Sequence, residues 1–201
     1  MDSGESQPSQ DSVMTVMEED RHEILYFAYG SNLSTRQMCH RCPSSTPVGL
    51  GYLPGWRWLI NARGYANVVK MAEGETETET ERGIEKKKKA GHDGGVWGLL
   101  YLLPPADEEL LDGYEHVPTG YEKRHLDVRW ERDEAGREVA DGDRAQRALV
   151  YVDFRRTEEG LPWEEYVGRM ERGIEEMVRV WGMDEGYADF MRESLNKGTR
   201  K

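Results

Sequence analysis

The sequence predicts an α+β fold: one small mixed sheet, strongly curved or closed into a β-barrel-like shape, with surrounding helices. Two observations carry this. Strand patterns fill the first three quarters of the chain and helical patterns the last, a segregation that marks α+β rather than alternating α/β architecture. The run Gly95-Val96-Trp97-Gly98-Leu99-Leu100-Tyr101-Leu102-Leu103 is apolar at nearly every position, so it needs cover on both faces. A length of 201 residues suffices for one domain with a sizeable core plus some unstructured sequence.

Residues 1–22 are polar and acidic without apolar periodicity and read as a disordered tail. The folded domain is expected over 23–196, with a short tail at 197–201. Ile24-Leu25-Tyr26-Phe27-Ala28-Tyr29 is a strand of β-branched and aromatic residues, stopped by the turn-formers Gly30-Ser31-Asn32. Ser34-Thr35 can cap a short helix over 35–41. Residues 50–61 read as a second strand with Pro54-Gly55 as a bend near its start, and 66–71 as a third. Residues 72–93, alternating Glu and Thr and then four lysines, read as a low-complexity charged insertion in a loop. Strand 95–103 stops at Pro104-Pro105. Residues 106–115 then read as an amphipathic helix with Leu110, Leu111 and Tyr114 inward and Asp107, Glu108, Glu109 and Asp112 facing solvent. Strands follow at 121–130 and 148–154. Tyr166, Met170, Ile174, Met177 and Trp181 fall at helical spacing over 163–181, and a last helix runs from 184 or 185 to 195.

There are 27 basic against 39 acidic residues, a net charge of −12, which disfavours a phosphate-backbone partner; no nucleic acid is expected. The basic run Lys86-Lys87-Lys88-Lys89 follows closely on an acidic one. No stretch approaches the roughly 18 apolar residues of a membrane span, so no membrane partner is expected either. The start lacks the basic end and apolar centre of a secretion signal, and only two cysteines occur; both fit a cytoplasmic chain. Cys39 and Cys42 form a lone Cys-x-x-Cys. With no second pair and scattered histidines, neither a metal nor a required disulfide is expected.

Two places can carry chemistry. A buried strand ending in Gly30-Ser31-Asn32 delivers backbone N–H groups to its tip, where a carboxylate or oxyanion can sit, and the helix after it would add partial positive charge. An ordinary strand–turn–helix junction has the same pattern. Glu115 lies where the 106–115 helix gives out, between Tyr114 and Val117. Partial desolvation there would raise its pKa and make it a better base, although a surface glutamate beside an apolar helix face reads the same way.

Tyr26-Phe27-Ala28-Tyr29-Gly30-Ser31-Asn32-Leu33 resembles the substrate-binding loop of the gamma-glutamylcyclotransferase family. Three further blocks follow in the family's order. Trp56 to Asn61 with Gly64 to Val69 resembles its paired strands. Strand 96–102, an acidic Leu-rich helix and Leu-Asp-x-x-Glu with Tyr121 six residues on resemble the segment carrying its catalytic Glu, a position held here by Glu115. Tyr166, seven residues before Gly173-Ile174, resembles the C-terminal helix that gives a Tyr to the pocket; a core aromatic is the plainer reading. The resemblance spans about 24–195. It departs at His116, where a small residue is common, at the 72–93 insertion and at the N-terminal tail.

The resemblance implies the following. The γ-glutamyl group of a small γ-glutamyl amino acid or dipeptide is cyclised to 5-oxoproline, releasing the amino acid, with no cofactor and no metal. Glu115 would be general base and acid; Tyr26, Phe27, Ala28, Tyr29, Gly30, Ser31 and Tyr166 would bind substrate. The protein would be a monomer or homodimer. The alternatives are a relative acting on glutathione, a γ-glutamyl amine or a secondary-metabolite precursor, or a non-catalytic binding module of the same fold.

Overall fold

The computed structural model describes residues 23–72 and 94–201; the expected tail at 1–22 and nearly all of the 72–93 insertion lie outside the described residues. Strand β1 (Ile24–Ala28) leads through a 3-10 turn (Ser31–Leu33) into helix α1 (Thr35–Arg41). Strands β2 (Thr46–Pro54), β3 (Trp56–Ile60), β4 (Ala66–Lys70) and β5 (Gly95–Leu103) follow, then α2 (Pro105–Tyr114), β6 (Glu122–Asp133), β7 (Ala145–Val152), α3 (Glu164–Arg179) and α4 (Glu185–Leu195). Five strands close into a mixed barrel in the order β1-β5-β2-β6-β7; β3 and β4 form a separate hairpin. Closure is made by the parallel pairing of β1 with β7, Tyr26 opposite Leu149, while the other barrel pairs are antiparallel.

The continuous apolar run of β5 explains its central place between β1 and β2. Leu99, Leu100, Tyr101 and Leu103 are all fully buried. On α3, Tyr166, Met170, Ile174 and Met177 recur every three or four residues and make a buried stripe. Gly173 on that stripe meets the 3-10 turn: a Cβ there would lie 2.9 Å from Leu33 Cβ and 3.1 Å from the Ser34 nitrogen. Its missing side chain lets helix and loop backbone touch.

The structure corrects several sequence expectations. The strand expected over 50–61 is two strands in different sheets, because the chain leaves the barrel at Pro54-Gly55 and enters the hairpin. β2 begins earlier than its Gly- and Pro-containing start suggested, and β6 runs on to Asp133 because it still has β2 to pair with, Gly49 opposite Asp133. On α2 only Leu111 of the three expected inward residues is buried; Leu110 is 50% and Tyr114 47% exposed. Asp107, expected in solvent, is buried and accepts from the Ser44 amide at 2.8 Å. Helix α1 takes no side-chain cap from Ser34. Glu176 of α3 caps it instead, accepting from the Thr35 amide at 3.1 Å and from the Thr35 hydroxyl. The partial charge at that helix start is therefore neutralised within the fold rather than offered to a ligand.

The hairpin is fixed to the barrel by polar contacts around Asp153, a carboxylate 1% exposed. Asn61 donates to its Oδ2 at 3.1 Å, and the Arg156 guanidinium donates to the same oxygen at 2.8 Å. Asn67 Nδ2 donates to the Asp153 carbonyl at 2.9 Å and Asn67 Oδ1 accepts the Asp153 amide at 3.0 Å. A buried carboxylate is tolerated only with such pairing. The result holds the β3–β4 turn over one end of the barrel.

Candidate active site

At the barrel end where β1 finishes and β6 begins, a cavity of about 280 Å³ is lined by the loop after β1, the β3–β4 turn, the end of α2, the start of β6 and the first turns of α3. The loop is clamped. The Leu33 amide donates to the Gly30 carbonyl at 2.9 Å, Trp58 Nε1 donates to the Tyr29 carbonyl at 2.9 Å, and the Tyr101 hydroxyl donates to the Asn32 carbonyl at 2.9 Å. So β3 and β5 both hold it, and part of the backbone polarity expected to be free is spent inside a 3-10 turn. Gly30 has φ −113°, so its value lies in space rather than handedness. A Cβ there would stand 3.1 Å from the Tyr166 hydroxyl and 3.4 Å from Ala66 Cβ.

Glu115 is the C-cap residue that follows α2, where the chain reverses. The Val117 amide donates to the Asp112 carbonyl at 3.1 Å and the His116 amide to the Gly113 carbonyl at 3.2 Å, with His116 at φ 53°. This is the Schellman termination, with a histidine where glycine is usual. It turns the chain sharply and directs Glu115 into the cavity, where its side chain is 16% exposed. Asn32 Nδ2 donates to its Oε1 at 3.3 Å and the Arg41 guanidinium lies 3.7 Å away. Burial raises its pKa above the ordinary carboxylate value, outweighing the opposing pull of Arg41, Asn32, Arg63 and Arg169.

Of the seven tyrosines that line the cavity, four divide into two kinds. Tyr29 donates its hydroxyl proton to the Tyr151 carbonyl at 2.5 Å, and Tyr121 donates to the Ala66 carbonyl at 2.8 Å. Those protons are committed. Tyr26 instead accepts from Asn32 Nδ2 at 3.0 Å and Tyr166 accepts from the Ala66 amide at 3.2 Å. Each of these two keeps an O–H to donate. Burial pushes the Tyr166 hydroxyl up to about 12, against hydrogen bonds from the backbone of Ala66 and Ser31. It stays protonated near neutral pH and serves as a donor.

A model of the family described as "Gamma-glutamyl cyclotransferase, AIG2-like" matches residues 26–167, more than half of the chain. The chain belongs to the gamma-glutamyl cyclotransferase family. Solved structures agree in fold. A protein titled gamma-glutamyl cyclotransferase superposes with a TM-score of 0.63 at 19% identity, covering 89% of this chain and 92% of its own. An uncharacterized protein from Homo sapiens also gives 0.63 at 19% identity, covering 90% and 94%. A gamma glutamyl cyclotransferase from yeast, described as specific to glutathione, gives 0.51 at 16% identity, covering 87% and 98%. None of the curated proteins compared with the chain matches it significantly.

Of the residues the family resemblance pointed to, Tyr26, Tyr29, Gly30, Ser31, Glu115 and Tyr166 line this one cavity. Phe27 and Ala28 do not. Strand alternation turns Phe27 away from Tyr26, toward Gly51 and Gly98, and Ala28 is fully enclosed. Asn32, whose backbone the strand-end loop already pointed to, also lines the cavity, and the sequence reading assigned no site role to Arg41, Arg63, Tyr65, Tyr121 and Arg169. Arg169, one helical turn after Tyr166, carried a readable signal, since residues three apart share a helix face. Cys39 is exposed and Cys42 buried, both free. Among the described residues no three His, Cys, Asp or Glu side chains cluster in a way that could hold a metal ion, and no helix is long and apolar enough to cross a membrane.

Proposed function

We propose that the chain is a gamma-glutamylcyclotransferase that converts the γ-glutamyl group of γ-glutamyl amino acids or dipeptides to 5-oxoproline and releases the amino acid. The observation that carries this reading is Glu115, a carboxylate with raised proton affinity at the wall of a small cavity, opposite a clamped strand-end loop. The reaction needs one molecule to curl so that its α-nitrogen meets its own γ-carbonyl carbon. A cavity that holds the curled form supplies proximity worth several kcal/mol, up to about 7–11 in ideal cases.

Each group then has a task. The backbone at Gly30, with the neighbouring Arg169, holds the α-carboxylate. Glu115 accepts a proton from the α-ammonium, freeing the nitrogen lone pair. That nitrogen attacks the γ-carbon, and the negative charge formed on oxygen is met by the Tyr166 hydroxyl, whose oxygen is already fixed by the Ala66 amide. Glu115 gives that proton to the departing nitrogen as the old C–N bond breaks, then takes the second proton from the ring nitrogen and passes it to the released amine, so that the ring is left as neutral-nitrogen 5-oxoproline. Purified protein given γ-glutamyl amino acids, γ-glutamyl amines and glutathione, scored for 5-oxoproline, tests the reading. Product from the γ-glutamyl amino acids is expected. No product from any of them would leave a non-catalytic module of this fold.

A further inference from the structure

Three arginines line the cavity, Arg41, Arg63 and Arg169, against one carboxylate, Glu115. Arg41 is committed: it lies 3.7 Å from Glu115, donates to Asn32 Oδ1 at 3.1 Å and stacks on Tyr114. Arg63 is not. Its guanidinium lies over the rings of Tyr121 and Tyr65, with its carbon 5.4 and 5.7 Å from their centroids. Its Nη1 is buried against the 115–120 loop, 3.1 Å from where a Cβ on Gly120 would stand. Among the described residues that nitrogen has no hydrogen-bond acceptor. A buried N–H of a guanidinium is costly without an acceptor, and a planar fork held by two rings is prepared for a carboxylate.

Every γ-glutamyl compound carries one carboxylate on the glutamyl part, already assigned to the Gly30–Arg169 side. A second exists only when the departing group is an amino acid or peptide. We propose that Arg63 binds the carboxylate of the departing amino acid and so makes the site selective for γ-glutamyl amino acids over γ-glutamyl amines. This rests on the cyclotransferase reading above and deepens it. Arg63 lies against the 115–120 loop, which begins at Glu115, the group that must protonate the departing nitrogen. A carboxylate fixed there would also hold that nitrogen within reach of the acid.

The test compares γ-glutamylalanine with γ-glutamylalaninamide, which differs only by an amide in place of the carboxylate, in wild type, Arg63→Met and Arg63→Lys. Wild type is expected to prefer the acid by on the order of 10–100-fold in kcat/KM, the size of a charged hydrogen bond. In Arg63→Met that preference collapses toward one, chiefly through loss of activity on the acid, and Arg63→Lys restores part of it. Equal use of both substrates by wild type, or an equal loss on both in Arg63→Met, overturns the proposal. If neither compound yields 5-oxoproline, the cyclotransferase reading has failed, and calorimetric titration with the same two compounds decides the Arg63 inference separately. Tighter binding of the acid that is lost in Arg63→Met supports it; equal or absent binding of the two sinks it.

Discussion

Replacing Glu115 by Gln is expected to stop turnover while leaving the site standing. The amide keeps an oxygen to accept from Asn32, now 3.3 Å from Oε1, and Arg41 keeps Asn32 Oδ1 and the Tyr114 ring. What is lost is the proton acceptor. A general base of this kind is worth roughly 10²–10⁴-fold, or about 3–5 kcal/mol of barrier at ~1.36 kcal/mol per decade. The pH dependence supplies a second reading of the same group. Burial raises the Glu115 pKa above its ordinary 4.5, so the base form needed for catalysis is lost as pH falls through that raised value. The acid limb of kcat/KM should therefore lie above the ordinary carboxylate range in wild type and be missing from the residual activity of Glu115→Gln. Stability runs the opposite way. The native state binds the proton more tightly than the unfolded chain, so wild type loses stability as pH rises from the unfolded to the folded pKa, and remains penalised above it. Glu115→Gln escapes that penalty and should unfold at an equal or higher temperature at pH 8. Initial rates from pH 4 to 9 with thermal melts at both ends measure all of this. A variant keeping more than about a tenth of wild-type kcat, or the same acid limb, would remove Glu115 from the base role.

Three further outcomes are expected. Gly30→Val should raise KM and lower kcat together, because its Cβ would already press on Tyr166 and Ala66 and its methyl groups would enter the cavity; unchanged kinetics in a folded variant would mean that the ligand sits elsewhere. Asp153→Ala should cost about 3–5 kcal/mol in denaturant unfolding, since Asn61, the Arg156 guanidinium and the Arg155 and Arg156 amides lose a shared buried carboxylate, and a loss below about 1 kcal/mol would show that the hairpin does not depend on it. Replacing residues 73–93 by a short turn should preserve kcat/KM, because the flanks already meet: the Met71 amide donates to the Gly55 carbonyl at 2.9 Å and the Gly55 amide to the Gly94 carbonyl at 2.6 Å. Lost activity in a folded deletion would implicate the insertion in the cavity.

The elements with one strong local signal were legible. Strand β5 declared itself by unbroken apolarity and α3 by spacing, and both bounds and burial follow those patterns closely. The pieces that failed were decided by distant partners. Nothing local tells that Glu176 rather than Ser34 caps α1, because the cap arrives from a helix 141 residues further on. The inward face of α2 was misjudged for the same reason: Ser44 gives Asp107 a partner inside, while Leu110 and Tyr114 find no cover. Tertiary context overrides a ten-residue helix whose apolar and acidic residues are nearly balanced.

The candidate site divides along the same line. Tyr26 to Asn32 and Glu115 were readable because each sits where a regular element breaks, and a break in a pattern is visible in one dimension. Arg41 and Arg63 were not, because an exposed arginine and a cavity arginine have the same local sequence. Arg63 lies in a turn that would ordinarily face water. It is turned inward because Asn61 and Asn67, at two positions of the hairpin around it, are locked to Asp153 at the end of β7. Those two asparagines looked like unremarkable strand residues, yet they set the angle at which the turn meets the barrel. Loosening that lock should therefore reach Arg63 without touching it. A conservative Asp153→Asn, which keeps the main-chain bonds with Asn67 but removes the charge facing Arg156, is expected to weaken discrimination between γ-glutamylalanine and its amide more than it weakens turnover of the amide itself. Equal effects on both substrates would show that the hairpin angle does not govern what Arg63 reads.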